Sequence, residues 1–346
     1  GSATCRPTNP SAYRRSPERG TQTLEIGMFP MFAVRSPLVA LLATTRPAVR
    51  MAAPEIEWQD AVVLSNTPVA DSQATRQLRV KAAGPLDYKP GHTLGFGFEE
   101  EGDSKQGPYT VTRSSGSTLD IVYRVIPDGR KTPAMAAMAA GAPVRFGGRF
   151  GTPIDEGIAP EVERVVGIAT GAGLAPLVGY AEQALLLEDG PRIELYGGFA
   201  SLEDACCATE LDALAAAHPA KFSWTACISR PGAAGAGTEE EAAAKRDAGG
   251  AGGAWVSGRV TSAVPPLLRT TRRTHFHLIG NGAFVKEFKA GCLEAGVDEG
   301  RLTSEVYFNG KSEPDPDAVA TVASGLRRLD AGAEPEAEEV AVVSMG

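Results

Sequence analysis

Between residues 170 and 176 the chain reads Thr-Gly-Ala-Gly-Leu-Ala-Pro, a segment whose residue types suit the binding of a phosphorylated ligand. Gly171 and Gly173 permit positive φ and let the backbone approach a ligand closely. Amide groups left free at the start of a following helix can hold a pyrophosphate, and Pro176 in the first turn forfeits no hydrogen bond there. The same residues also describe a purely structural tight turn. No Gly-x-x-x-x-Gly-Lys-[Ser/Thr] segment occurs, so a P-loop NTPase is unsupported. Cys5, Cys206, Cys207, Cys227 and Cys292 show no Cys-x-x-Cys spacing. They read as reduced thiols and give no sign of a zinc site, a disulfide framework or a fused iron–sulfur domain.

Such a turn works only with a buried strand before it and a helix after it, and the sequence supplies both. RVVGIAT (164–170) is a continuous apolar run that suits a strand covered on both faces, and LVGYAEQALLLE follows with helical spacing. Strand-like and helix-like segments then alternate as far as TSEVYF (303–308), which predicts βαβ crossovers and a parallel sheet. Ligands bind such sheets at the carboxyl ends of the strands. Upstream, from residue 55, short runs such as 61–64, 78–80, 94–98, 119–125 and 144–146 are separated by Gly, Pro, Asn and Asp. That rhythm predicts an antiparallel barrel or sandwich, with one helical stretch at 132–140.

The expected organisation is therefore a β-barrel domain over 55–158 and a parallel-sheet α/β nucleotide-binding domain over 159–311. Residues 231–254, Gly/Ala-rich with a short charged run, read as a surface insertion. Residues 312–346 read as an acidic, solvated, disordered tail. Residues 1–54 read as a targeting leader: from Met28 there are arginines but no acid until Glu55, which is transit-peptide composition with a start at Met28 and cleavage near Met51. A merely disordered N-terminus is the alternative. Such a presequence fits plastid or mitochondrion, and the VRMAAP junction together with the family resemblance described below makes plastid the expected compartment, with mitochondrion as the alternative.

The 346 residues carry 34 Lys and Arg against 42 Asp and Glu, a net charge of −8. The leader is +5, the tail −6 and the middle −7. A nucleic-acid binder should show a basic stripe, and none is visible. No run of about 18 apolar residues is present to cross a membrane as a helix.

IATGAGLAP, preceded by a barrel and followed by alternating strands and helices, resembles the nicotinamide-binding turn of the ferredoxin-NADP reductase superfamily, and the resemblance extends over roughly residues 56–309. It implies a barrel that carries a flavin, FAD rather than FMN, and a sheet domain that binds a nicotinamide cofactor. The family grips the flavin with Arg-x-Tyr-[Ser/Thr]; here the segment is Gly107-Pro108-Tyr109-Thr110. The Tyr109 ring is then expected on the isoalloxazine and the Thr110 hydroxyl near its reactive nitrogen. Gly107 stands where the family has its phosphate-binding Arg, and Arg113 is the candidate replacement, with a solvated strand end as its other reading. Gly129-Arg130-Lys131-Thr132 resembles the family's second phosphate motif, which assigns Gly129, Lys131 and Thr132 to the flavin; an ordinary helix cap at Thr132 is the alternative. Tyr88–His92 resembles a strand turn of the family, and Gly147–Pro153 its barrel-closing segment.

Glu305-Val306-Tyr307 matches the end of plant-type reductases, where the Glu lies near the hydride path and the Tyr stacks over the flavin. Here the chain runs on past Tyr307. Ile279 replaces the Cys of the family's Cys-Gly-x-Pro segment, and Gly280 retains its glycine. Ser229-Arg230 resembles the pair that holds the adenosine 2′-phosphate, which favours NADPH over NADH. The resemblance implies an NAD(P)H-dependent flavoprotein oxidoreductase with Thr110 and Glu305 as catalytic residues and an unidentified electron acceptor. With a core of −7 and nine Lys in the chain, an acidic photosynthetic ferredoxin is not the expected acceptor. Peripheral association with a larger complex is left open. The departures at Gly107 and Ile279 sustain an alternative: a catalytically weak, nucleotide-binding regulator or complex subunit.

Overall fold

A computed structural model of the chain describes residues 56–100, 103–230, 254–308 and 310–331. The first half is a closed barrel of β1 (Trp58–Pro68), β2 (Thr75–Ala82), β3 (Thr93–Glu100), β4 (Asp103–Ser115), β5 (Thr118–Arg124) and β6 (Pro143–Phe150), all paired antiparallel in the order β1-β2-β5-β4-β3-β6. Alternation fills its interior: Leu78, Val80, Leu94, Phe96, Ile121 and Phe146 all point inward and are buried. A short helix, α1 (Thr132–Ala136), plugs one end with the buried side chain of Met135.

The second half is a six-stranded parallel sheet in the order β10-β9-β8-β7-β11-β12, formed by β7 (Arg164–Thr170), β8 (Arg192–Phe199), β9 (Phe222–Ile228), β10 (Ala254–Ser257), β11 (Thr274–Asn281) and β12 (Leu302–Phe308). The connecting helices are α2 (Leu174–Ala184), α3 (Ala208–Ala217), α4 (Val260–Ala263) and α5 (Gly282–Glu294). Separate apolar clusters cover the two faces, one around Leu177, Leu195 and Phe222 and one around Ile168, Phe276 and Phe288. Strand order reverses between β7 and β11, so the crevice at their carboxyl ends is the switch point where such sheets receive ligands. The two-domain architecture expected from the sequence is the one observed.

Barrel and sheet meet where α2 lies on β4. A side chain at Gly179 would collide with the Thr112 carbonyl, so only glycine allows this approach. One helical turn on, Glu182 receives both arms of the Arg113 guanidinium, at 2.6 and 2.7 Å.

Two expectations are corrected. Residues from 312 onward are not simply a solvated tail: α6 (Pro316–Ala331) packs Val322 and Leu326 into the cluster that holds Phe288 and Cys292 of α5. Its apolar residues recur at Val319, Val322, Ala323, Leu326 and Leu329, a helical spacing that the acidic composition obscured. The presumed insertion also ends one residue early, because Ala254 opens the parallel edge strand β10. The remainder of 231–254, the leader 1–54 and the end of the tail lie outside the described residues.

Candidate functional site

A cavity of about 820 Å³ opens between the barrel and the carboxyl ends of the sheet. On the barrel side, Tyr109, Thr110 and Thr132 line it; on the sheet side, Thr170, Gly171 and Ser229 do, with Glu305 and Tyr307 between. Eight of the residues singled out from sequence therefore face one space, although they are far apart in the chain.

Thr170 ends β7, and its hydroxyl accepts a 2.9 Å hydrogen bond from the Asn281 amide at the end of β11. Gly280 has φ +131°, and a Cβ there would overlap the Thr170 side chain. A Cβ on Gly173 would stand 2.9 Å from the Ile279 carbonyl oxygen. Gly173 and Gly280 thus act beneath the cavity floor by letting the two strand ends close on each other. Gly171, with φ +56° and open space above it, is the glycine that leaves room for a ligand. Pro176 is buried in the first turn of α2 and holds that helix start without touching the cavity. Ile279 is fully buried, so the family's Cys position presents no side chain to the site.

The Glu305 carboxylate accepts hydrogen bonds from Thr110 (2.6 Å) and Thr93 (3.1 Å), both on the same oxygen. Burial pushes its pKa above the usual carboxylate range, and the two hydroxyl donors only partly offset this. The Tyr307 hydroxyl is also hydrogen-bonded to Thr110, and burial raises its pKa well above that of an ordinary phenol. Thr110 is thus the node joining the barrel to the end of β12. The Tyr109 hydroxyl meets Met135 Sδ at 3.0 Å and its ring packs edge-on to Phe96 at 5.8 Å, which anchors one edge of the aromatic wall. Burial raises the Tyr109 phenol to about 12, so it stays neutral.

Arg113 requires a correction. Its guanidinium is fully engaged by Glu182 at the domain junction and does not line the cavity. Gly129 sits in a tight turn, its amide donating to the Ile126 carbonyl, and the Thr132 hydroxyl accepts from the Ile126 amide at 2.8 Å. Thr132 closes that turn and does not cap the helix, whose N-cap is Lys131 with no side-chain cap hydrogen bond. Lys131 lies beside it and donates to the Gln106 carbonyl at 2.9 Å. Arg230 is exposed just beyond Ser229 and does not line the cavity, although its backbone amide holds the loop to Ala200.

Sequence reasoning overlooked Arg259, which lines the cavity close in sequence to β10. A basic residue between a strand end and a helix start was the available signal, but β10 had been absorbed into the insertion. Thr93 was missed as well; it follows the Tyr88–His92 turn directly. Cys227 also lines the cavity, with its thiol pushed up to about 12 by burial, so it presents a thiol and not a thiolate. Among the described residues no cluster could hold a metal ion, and no helix is long and apolar enough to cross a membrane.

Residues 168–245 match the family model described as an oxidoreductase NAD-binding domain. The ferredoxin–NAD(P)+ reductase component of naphthalene 1,2-dioxygenase/salicylate 5-hydroxylase systems from a Ralstonia species is 29% identical over 170 residues, covering 48% of this chain and 50% of that protein. The chain thus matches about half the length of that curated relative. Among solved structures, an Amycolatopsis cytochrome P450 reductase superposes with a TM-score of 0.58 at 23% identity, over 72% of this chain and 70% of that one. A Neisseria gonorrhoeae ferredoxin NADP+ reductase with bound FAD and NADP gives 0.57 at 20% identity, over 73% and 100%.

Proposed function

We propose that the chain is a ferredoxin-NADP reductase-like, flavin-dependent oxidoreductase oxidising NAD(P)H, a reading supported by its two-domain fold and its match to an oxidoreductase NAD-binding domain. The observation that carries this reading is the Thr110–Glu305 hydrogen bond, which puts a barrel hydroxyl and a sheet-domain carboxyl at one point of the shared cavity. The residues present fit FAD: an aromatic wall at Tyr109, the Thr110 hydroxyl beside it, and a cavity that runs from the barrel to the strand ends of the sheet. A bound flavin would accept a hydride and pass electrons on singly or in pairs.

The protein's own work is positional. Thr110, fixed by Glu305 on one side and Tyr307 on the other, would orient the reactive edge of the ring system. Glu305, whose pKa burial raises above the usual carboxylate range, can take up a proton and release it at the same place. Gly171 and Thr170 would receive the nicotinamide cofactor's pyrophosphate, while Ser229 and Arg259 line the cavity and offer a hydroxyl and a guanidinium that suit the 2′-phosphate of NADPH, with Arg230 exposed next to Ser229. NADPH is therefore the proposed donor, with the electron acceptor a partner of unassigned class.

The test is the absorbance spectrum of the purified full chain. A yellow protein bleached by NADPH under anaerobic conditions is expected. A colourless protein that binds NADPH but takes up no added flavin would overturn the enzyme reading in favour of a nucleotide-binding regulator.

A further inference from the structure

The cavity holds a second carboxylate besides Glu305. Glu287, in the second turn of α5, is only 8% exposed, yet it lines the cavity together with Ala283 and Phe284 from the start of the same helix. Thr261, 6% exposed near the start of α4, lines it as well. Packing fixes both helices, because Val260 and Val264 of α4 share one apolar cluster with Phe284 and Phe288 of α5.

Among the described residues nothing donates a hydrogen bond to the Glu287 carboxylate and no cation pairs with it. The lysines beside it on α5 are engaged elsewhere: Lys286 donates to the Ser312 carbonyl at 2.8 Å, and Lys289 pairs with Glu299 at 3.3 Å. A carboxylate nine-tenths buried without donors weighs against the fold unless a ligand supplies them. Its oxygens are open to the cavity and not sealed in the core, so a ligand can reach them. Place and charge then define the donor. α5 starts directly after β11, whose end meets Thr170 through the Asn281 amide, so its first turns border the switch point of the sheet. A phosphate group against Glu287 would be repelled. Two adjacent hydroxyls would not, since each can donate to one carboxylate oxygen. A nicotinamide dinucleotide carries such a pair on its nicotinamide ribose, whereas the adenosine ribose of NADPH has given one of its two hydroxyls to the 2′-phosphate.

We propose that Glu287 is a binding residue for the nicotinamide cofactor, its carboxylate accepting hydrogen bonds from the 2′- and 3′-hydroxyls of the nicotinamide ribose. This rests on the NAD(P)H reading above. It gives α5 a direct part in holding the cofactor's nicotinamide half, and it accounts for an acid kept inside a cavity where no other residue needs it.

The test is isothermal titration of the full chain with NADP+ and with 2′,5′-ADP, which keeps the adenosine 2′-phosphate but lacks the nicotinamide ribose. Glu287→Ala should weaken NADP+ by about ten- to a hundredfold and leave 2′,5′-ADP unchanged. Glu287→Gln, which keeps one acceptor oxygen, should recover part of the loss. Because the carboxylate has no partner in the fold, ligand-free Glu287→Gln should melt no lower than the parent chain, a combination of retained stability and lost affinity that a structural role would not give. Undiminished or tighter NADP+ binding in Glu287→Ala overturns the assignment, and so does an equal loss for 2′,5′-ADP, which would place the carboxylate on the adenosine half. A lower melting temperature for ligand-free Glu287→Gln overturns it too, by showing the carboxylate to be part of the fold. If the unaltered chain binds neither ligand, the nicotinamide reading itself fails, and this proposal with it.

Discussion

The Thr110 hydroxyl, on the fourth strand of the barrel, donates a 2.6 Å hydrogen bond to Glu305, near the end of the last strand of the parallel sheet. Residues 195 positions apart are thereby joined in the wall of the cavity, one from each domain. Glu305 is held there partly buried, with its pKa raised by desolvation. The sign of the consequence follows from linkage. A carboxyl whose folded pKa lies above its unfolded value favours the fold when protonated, and the fold loses that advantage as pH rises through the folded pKa. Glu305→Gln keeps the acceptor oxygen and removes the charge. It should therefore melt higher than the parent protein at pH 8, with the gap closing as pH falls into the ordinary carboxylate range. The same variant should slow flavin reduction by NADPH by about a hundredfold in stopped-flow absorbance, as expected for loss of an acid–base group. Equal melting at both pH values would show that the carboxyl is not under the strain of burial.

His275 and His277 lie on consecutive inward positions of β11 and share one partner: His275 Nε2 is 2.7 Å and His277 Nδ1 2.8 Å from the Thr303 hydroxyl. Burial, with Arg301 adding to it for His275 and His275 adding to it for His277, lowers their pKa values to about 4 and about 3. Both stay neutral in the fold, whereas the unfolded chain takes up protons below about pH 6.5. Stability is thus intact above pH 6.5 and is lost as pH falls toward the folded values. Each ring adds up to about 1.4 kcal/mol per pH unit within that window. Urea denaturation at pH 7, 6 and 5 should show this slope. His277→Gln should remove about half of it while lowering stability at pH 7, and an unchanged slope would refute the assignment.

Gly280 and Thr170 make the tightest approach at the switch point. Gly280→Ala adds a methyl where Thr170 already stands and forces an unfavourable positive φ, a combined cost of about 2 to 4 kcal/mol. Isothermal titration should show NADPH affinity falling by tenfold or more in whatever fraction remains folded. Gly171→Ala, with open space above it, should cost only the backbone strain of about 1 kcal/mol and leave the melting temperature little changed.

Period and punctuation made the two-layered plan readable. The continuous apolar run Val165–Ala169 could only be a strand covered on both faces, and the glycines after it could only be a turn. The lining of the cavity was readable at positions such as Thr110, Ser229 and Glu305, which the structure brings to one space. It was not readable where function depends on what lies across space. Nothing in the spacing tells that Glu182 will claim Arg113, or that Lys131 will enter the room left at position 107, because each pairing is decided by how helices and turns pack on the barrel. Arg259 was hidden by an edge strand of four residues, too short to show a period.

The last helix gives a final case, in which composition misled and packing decided. Asp317 in its first turn is exposed, while Val322 and Leu326 are fully buried against α5, and Gly291 is needed there because a side chain would meet Val322. Asp315 caps the helix, its carboxylate accepting from the Asp317 amide at 3.0 Å, and Arg327 reaches the Glu294 carbonyl at 2.7 Å to close the C-terminal end of α5. A solvated tail would tolerate any substitution. A packed helix will not: Leu326→Ala should destabilise the protein by about 2 to 5 kcal/mol, from lost transfer energy and the cavity left behind. Ser324→Ala, on the exposed face of the same helix, should lie within about 0.5 kcal/mol of the parent. Chemical denaturation of the two variants distinguishes the alternatives, since equal midpoints would return residues 316–331 to the status of an appendage. Because α5 starts at Gly282, beside the cavity residues Ala283 and Phe284, loosening α6 should also weaken NADPH binding, a coupling that titration of Leu326→Ala under folding conditions would measure directly.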